Sequence, residues 1–219
     1  DIVKENNINL NIHIYTQEST LNYEAASFYK SLGVERIVLA RELSKEEIKE
    51  IIDKTGIEVE VFIHGAMCSS YSGRCVLSNY FTLRDANRGG CAQICRWEFP
   101  LIDSNNNIIQ SKTKFTASSK DLMLAAHIKE IIETGISSLK VEGRMRSNYY
   151  VATVINTYRN IIDDYYDDIL TDDKLNYYIK ILERVANREA TPQFFNKLPG
   201  VEEQYYLGRN EVSNQDFLG

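Results

Sequence analysis

The segment RIVLARELSKEEIKEIIDKTGIEVEVFI, residues 36–63, contains a complete strand–helix–strand unit. Residues 36–40 are a short apolar run bounded by charges, which predicts a buried strand. Ser44 opens a helix, and Glu47 three residues later completes a capping box. Ile48, Ile51 and Ile52 give that helix one apolar face, and Gly56 ends it. The alternation in 58–63 predicts the next strand. Upstream, residues 8–14 alternate apolar and polar as a strand does, and 20–32 have helical spacing with Gly33 as the stop. Strand and helix thus alternate at intervals of roughly 20–25 residues, the pattern of a parallel sheet.

The pattern breaks after residue 63 and resumes with a helix over 122–134, a strand over 137–142 and a long helix over 147–163. The interruption holds a hairpin, 96–102 with 108–115, turning at Ser104–Asn107. A long insertion in a regular βα array is more often functional than idle. The expected fold class is α/β: a partial, TIM-like (β/α) barrel of about four βα units over residues 1–163. It carries a cysteine-rich insertion over 64–117. Residues 164–219 form a peripheral extension, with a helix near 173–187 and breaks at Pro192 and Pro199. Its acidic run, Asp163 to Asp173, reads as solvated surface.

The 219 residues are 43% hydrophobic and 26% charged, which excludes disorder and fibrous repeats. No apolar run reaches the ~20 residues that span a bilayer. No secretion signal opens the chain, so a cytoplasmic protein is expected. It begins at Asp1, and a piece of a longer protein is expected. The net charge of -6 argues against a simple nucleic-acid-coating protein. The charge is uneven, however. Residues 61–120 carry 7 basic and 3 acidic side chains, and all four cysteines lie there.

Those cysteines, Cys68, Cys75, Cys91 and Cys95, are spaced C-x6-C-x15-C-x3-C. Neither pair has the C-x2-C knuckle of a structural zinc site. Disulfides suit a secreted protein, and this length needs no staples. An iron–sulfur cluster takes four thiolates at varied spacing. Arg74, Arg84, Arg88 and Arg96 would offset its charge. Spacing alone leaves zinc and a cluster both open.

Residues 60–78, EVFIHGAMCSSYSGRCVLS, match the signature E-x-F-x2-G-[SA]-[LIVM]-C-x4-G-x-C-x-[LIVM]-S of the U32 peptidase family at every fixed position. RDANRGGCAQICRW (84–97), SSKDL (118–122), LKVEGRMRSNYYVATVINTYR (139–159) and NQDFLG (214–219) also resemble that family. Its name comes from reported collagenase activity. Better-understood members hydroxylate RNA or ubiquinone precursors, and those with four cysteines bind [4Fe–4S]. The resemblance therefore implies a [4Fe–4S] cluster on Cys68, Cys75, Cys91 and Cys95, with zinc as the alternative. The C-x3-C pair followed by Arg96 and Trp97 looks most like the branch that makes 5-hydroxyuridine at the tRNA wobble position with prephenate. This implies tRNA as a partner, and a related partner protein or a homo-oligomer. It also implies a middle fragment, because full-length members begin upstream with the first half of a barrel.

Active sites of (β/α) barrels lie at the C-terminal strand ends. That rule gathers His13 and Gln17, Arg41 and Glu42, His64 with the Cys68 loop, and Lys140, Glu142, Arg144 and Arg146. His64, Lys140 and Glu142 are the catalytic candidates. His13, Gln17, Arg41, Glu42, Lys120, Arg144 and Arg146 are the substrate-binding candidates, arginines being suited to a dicarboxylate such as prephenate. Each has a plainer reading. His13 equally suits a core, Arg41–Glu42 an ion pair, and Lys120 with Asp121 the start of the next helix capped by Ser118. His127 reads as structural, and Tyr149, Tyr150 and Tyr158 as a helix face packed on the sheet.

A peptidase is the competing reading. The chain has neither a G-x-S-x-G elbow nor an H-E-x-x-H motif. A non-catalytic cluster-binding scaffold is the third.

Overall fold

A computed structural model describes residues 2–6, 10–109, 114–185 and 188–207. The terminal NQDFLG motif, the first part of the expected 8–14 strand, part of the hairpin's return strand and the end of the 173–187 helix lie outside these residues. The elements up to the interruption are α1 (Ile2–Glu5), β1 (His13–Ile14), α2 (Tyr23–Ser31), β2 (Arg36–Val38), α3 (Lys45–Thr55) and β3 (Glu58–Gly65). Then follow α4 (Leu77–Thr82), β4 (Leu101–Ile102), β5 (Ile108–Ile109), β6 (Phe115–Ser119) and β7 (Asp121–Met123). The chain closes with α5 (Ile128–Thr134), β8 (Ser138–Glu142), α6 (Asn148–Tyr166), α7 (Asp172–Arg184), β9 (Ala190–Thr191) and β10 (Gln204–Leu207).

The expected parallel arrangement is present. β1, β2, β3 and β8 lie side by side in that order and all run parallel. The α3 capping box forms between Ser44 and Glu47, and Gly56 closes the helix in the left-handed conformation at φ 56°. Ile48 and Ile51 of α3 are buried, as are Val154, Tyr158 and Ile161 of α6, with Tyr150 one turn earlier. These helix faces share one core with Ile37, Val59, Val61 and Ile63, alternate residues of β2 and β3. The other face carries charged pairs beside the buried Val38 and Phe62. Arg36 binds Glu58 at 2.7 Å, and Glu60 takes Lys140 at 2.8 Å and Ser138 at 2.8 Å. Burial works against the Glu60 carboxylate, but the Lys140 and Ser138 hydrogen bonds outweigh it and lower its pKa.

Three expectations are corrected. The stretch 122–134 is not one helix: its first residues form β7, which pairs antiparallel with the end of β3 through His64↔Met123 and Gly65↔Leu122. A short apolar run such as Leu122–Leu124 suits either element, and the open edge of β3 decides it. Accordingly Ser118, Lys120 and Asp121 do not begin a helix; Ser118 ends up in β6 and Asp121 in β7. The segment after α7 is not peripheral, since β9 pairs with β7 and β10 with β6. Of the expected hairpin, 96–102 with 108–115, the described residues show β4 paired antiparallel with β5 and a bridge between Phe99 and Phe115. No helix among the described residues is long and apolar enough to cross a membrane.

Truncating a fully buried side chain here leaves a cavity, while removing a cap costs one hydrogen bond. Ile51→Ala should therefore destabilise the chain by about 3 kcal/mol in chemical denaturation. Ser44→Ala should cost about 1 kcal/mol. Lys49→Ala, which removes an exposed pair with Asp53, should cost under about 0.5 kcal/mol.

Candidate functional site

The C-terminal ends of the four parallel strands open into one cleft of about 190 Å³. Gln17 enters it after β1, Arg41 after β2, Cys68 after β3, and Glu142 with Arg144 at the end of β8. Cys75, Cys91, Cys95 and Arg96 complete the wall. All four cysteines thus face one space, each half-buried and each a free thiol. Among the described residues no group of three His, Cys, Asp or Glu side chains is placed to hold a single metal ion.

Long-range polar contacts shape this segment, because it has little regular structure of its own. Ser72 donates its backbone N–H to Glu42 at 2.6 Å. Gly73, at φ 73°, lies so close to the Gln17 carbonyl that a Cβ would sit 1.9 Å from that oxygen. Arg144 donates to the Cys91 carbonyl at 2.8 Å and also to that of Gly89. Asn87 donates to the Cys75 carbonyl at 3.1 Å, and Ser119 to that of Met67 at 3.0 Å. Burial raises the pKa of the Cys68 thiol, opposed by a Ser70 backbone hydrogen bond and the Arg41 charge.

Behind the cleft lies a buried charge cluster. Asp121 accepts from Arg188 Nε at 3.0 Å and from Arg146 at 2.8 Å. Arg188 also donates to Ser118 at 2.9 Å. Arg96 is buried beside it, and burial, with the Arg188 charge next, lowers its pKa. Arg188 was invisible to sequence reasoning: it stands 67 residues from Asp121, in the segment expected at the periphery.

Of the sequence candidates, the cleft brings together Gln17, Arg41, Glu142, Arg144 and the four cysteines. Among the described residues, the Gln17 Oε1 and Arg41 Nε atoms, buried in its wall, have no hydrogen-bond partner. Arg41 stacks on Phe62 at 3.7 Å and Glu42 anchors Ser72, and among the described residues the ion pairs do not include the expected Arg41–Glu42. Glu142 accepts from the Arg144 backbone at 3.0 Å.

The other candidates lie elsewhere. His13 is exposed, in register with Arg36. Lys120 pairs with Glu189 and Lys140 with Glu60. Arg146 is held by Asp121.

His64 is 3% exposed and points away from the cleft. A β-bulge between Phe62 and His64 shifts the register, so His64 pairs with Val141 and turns toward α6. There its Nδ1 lies 3.3 Å from the Tyr158 hydroxyl, which itself donates to the Ile63 carbonyl. Burial holds the pKa of His64 down at about 4. Burial likewise lifts that of Tyr150 to about 12. His127 pairs with Glu130 at 2.8 Å.

The sequence profile of Peptidase family U32 matches residues 1–205. A Bacillus subtilis protein named tRNA hydroxylation protein P1 is 46% identical over 216 residues, covering 96% of this chain and 51% of its own length. The Escherichia coli 23S rRNA 5-hydroxycytidine C2501 synthase is 33% identical, covering 87% of this chain and 30% of its own length. A Porphyromonas gingivalis protein named Collagenase is 31% identical over 93% of this chain and 49% of its own. The chain thus spans about half the length of the first curated relatives it matches. No solved structure matches it.

Two outcomes test this geometry. Gly73→Ala and Gly89→Ala both place a side chain at positive φ, but a Cβ on Gly89 meets nothing within 4 Å. Gly73→Ala should lower the melting temperature clearly more than Gly89→Ala. For His64, the folded chain resists a proton that the unfolded chain accepts below its ordinary pKa of 6.5. Its contribution to stability is complete above pH 6.5 and is lost as pH falls toward about 4, a change on the order of 3 kcal/mol. Denaturation across this window should show that slope, and His64→Asn should flatten it.

Proposed function

The chain belongs to peptidase family U32, and we propose that it forms the cysteine-bearing half of an RNA hydroxylase. The reading is 5-hydroxyuridine formation at the tRNA wobble position, with a [4Fe–4S] cluster and prephenate as co-substrate. The observation that carries it is the meeting of four free thiols and Arg41 in one cleft at the ends of parallel strands. Relatives named for tRNA hydroxylation and for 5-hydroxycytidine synthesis in 23S rRNA support the reaction class.

The donor set fits a cluster. An iron–sulfur core takes four thiolates, and four free thiols line this cleft. Cys68, Cys75, Cys91 and Cys95 would hold it. Bound there, it supplies one-electron chemistry or an iron Lewis acid beside the substrate. The chain's own groups do the rest. The buried Arg96, with Arg146 and Arg188 behind it, sets a positive potential at the cleft's rear wall, offset only in part by Asp121. Arg41 presents an unpartnered Nε for a carboxylate of an anionic co-substrate. Arg144 holds the loop carrying Cys91 in place. Lys140, already engaged by Glu60, keeps the strands in register.

We place these strands as half of a (β/α) barrel, with the cysteine segment as its insertion after β3. Four adjacent parallel strands with helices on one face and charges on the other are what half of such a barrel presents. The rest of the polypeptide would close it, in a cytoplasmic protein.

The relative named Collagenase keeps a peptidase in view. A nucleophile needs an adjacent base, and among the described residues lining the cleft there is no histidine. The deciding measurement is nucleoside mass spectrometry of tRNA from cells lacking the full-length gene. The 5-hydroxyuridine signal should disappear and return with the wild-type gene, but not with Cys68→Ala. Anaerobically purified full-length protein should contain iron and sulfide, and lose both with Cys68→Ala. Unchanged 5-hydroxyuridine, with peptide cleavage that survives replacement of all four cysteines, would replace this reading with the peptidase.

A further inference from the structure

The segment that carries the cysteines leaves an unusual share of its apolar side chains in water. Tyr80 is 81% exposed, Leu83 89% and Tyr71 66%, and Phe81 and Trp97 are about half exposed. Single exposed apolar residues are ordinary, but a run of them within one short segment marks an interaction surface. Tyr80 and Phe81 sit on α4 with their rings edge to face at 5.2 Å, and Phe81 meets Phe99 at 5.8 Å. α4 packs on the turn Ile94–Arg96, which carries Cys95, and on the turn Ala86–Arg88. Tyr71, exposed in the same segment, also lines the cleft wall.

The charge on this segment names the partner. Arg74, Arg84 and Arg88 are exposed, and none has an ion pair among the described residues. Between Tyr71 and Trp97 the sole carboxylate is Asp85, which caps the turn at Asn87 with a 2.9 Å hydrogen bond. In a chain of net charge -6, an aromatic patch rimmed by arginines and almost empty of carboxylates is complementary to a polyanion with flat apolar faces. Single-stranded RNA has that chemistry: unstacked bases lie on aromatic rings while arginines follow the phosphates. A continuous duplex does not, because its base faces are already stacked.

We propose that α4 and the flanking turns are a stacking platform for an unpaired RNA loop. Tyr80 and Phe81 take bases, Arg84 and Arg88 take phosphates, and Tyr71 leads the target base into the cysteine cleft. This rests on the RNA-hydroxylase reading for its ligand and goes beyond it in naming the docking face.

The test uses the full-length protein and an RNA hairpin with an unpaired, uridine-containing loop, against the same RNA closed into a continuous duplex. Wild-type protein should prefer the hairpin. Tyr80→Ala with Phe81→Ala should weaken hairpin binding by about tenfold to a hundredfold, with duplex binding and iron content unchanged. Arg84→Ala with Arg88→Ala should weaken hairpin binding and reduce its salt slope by about 1.4 for two lost phosphate contacts. Hairpin binding unchanged in both variants overturns the proposal. So does an unchanged affinity with a shifted melting temperature, which would mean that protein covers this face. Equal wild-type affinity for hairpin and duplex overturns it as well. The two readings fail separately: normal binding by the variants with tRNA hydroxylation intact removes the platform alone, whereas hairpin binding at this face without any hydroxylated nucleoside removes the reaction alone.

Discussion

One carboxylate, Asp121, ties together parts of the chain that share no other chemistry. It is 2% exposed and stands between Arg146, at the approach to α6, and Arg188, before β9. Arg96, next to Cys95, is buried in the same cluster. A buried charge is tolerable only when paired and hydrogen-bonded, and removing one partner leaves the others exposed to the full cost of desolvation. Loss of Asp121 would leave several guanidinium groups together in a poorly solvated space. The rear of the cysteine cleft, the start of the longest helix and the return of the C-terminal segment all depend on this one side chain.

Of the basic 61–120 block only Arg96 joins this cluster, and Arg146 and Arg188 reach it from later in the chain. A chain that is acidic overall concentrates arginines where four thiolates would gather. Positive charge held rigidly at the rear of a cleft favours an anionic occupant without reorganisation when it binds. The exposed arginines and aromatics of α4 are separate from this. They act at the surface, where salt screens them and solvent competes.

Local signals were the legible ones. The capping box at Ser44, the left-handed Gly56 and the alternation in β3 could be read directly, because neighbouring residues fix them. The cysteines and several residues after the strands do line one cleft, since parallel strands deliver their C-terminal ends to one side. What could not be read was direction. His64 precedes the cysteine motif by four residues, yet a single bulge turns it into the core. Arg144 and Arg146 are two residues apart; one lines the cleft and the other is taken by Asp121. Arg188 carried no signal, because its partner lies far away along the chain.

The cysteine segment has an order of assembly written into it. Its own regular structure is a six-residue helix and short turns. The contacts that hold it, Gly73 on Gln17, Ser72 on Glu42 and Arg144 on Cys91, join residues 30 to 56 positions apart. Contacts across such distances form only after the elements bearing the partners are in place, because loop closure must come first. The cysteine cleft is therefore assembled after β1, β2, β3 and β8 have paired, and Met67, Ala86, Ile94 and Arg96 are buried as it closes.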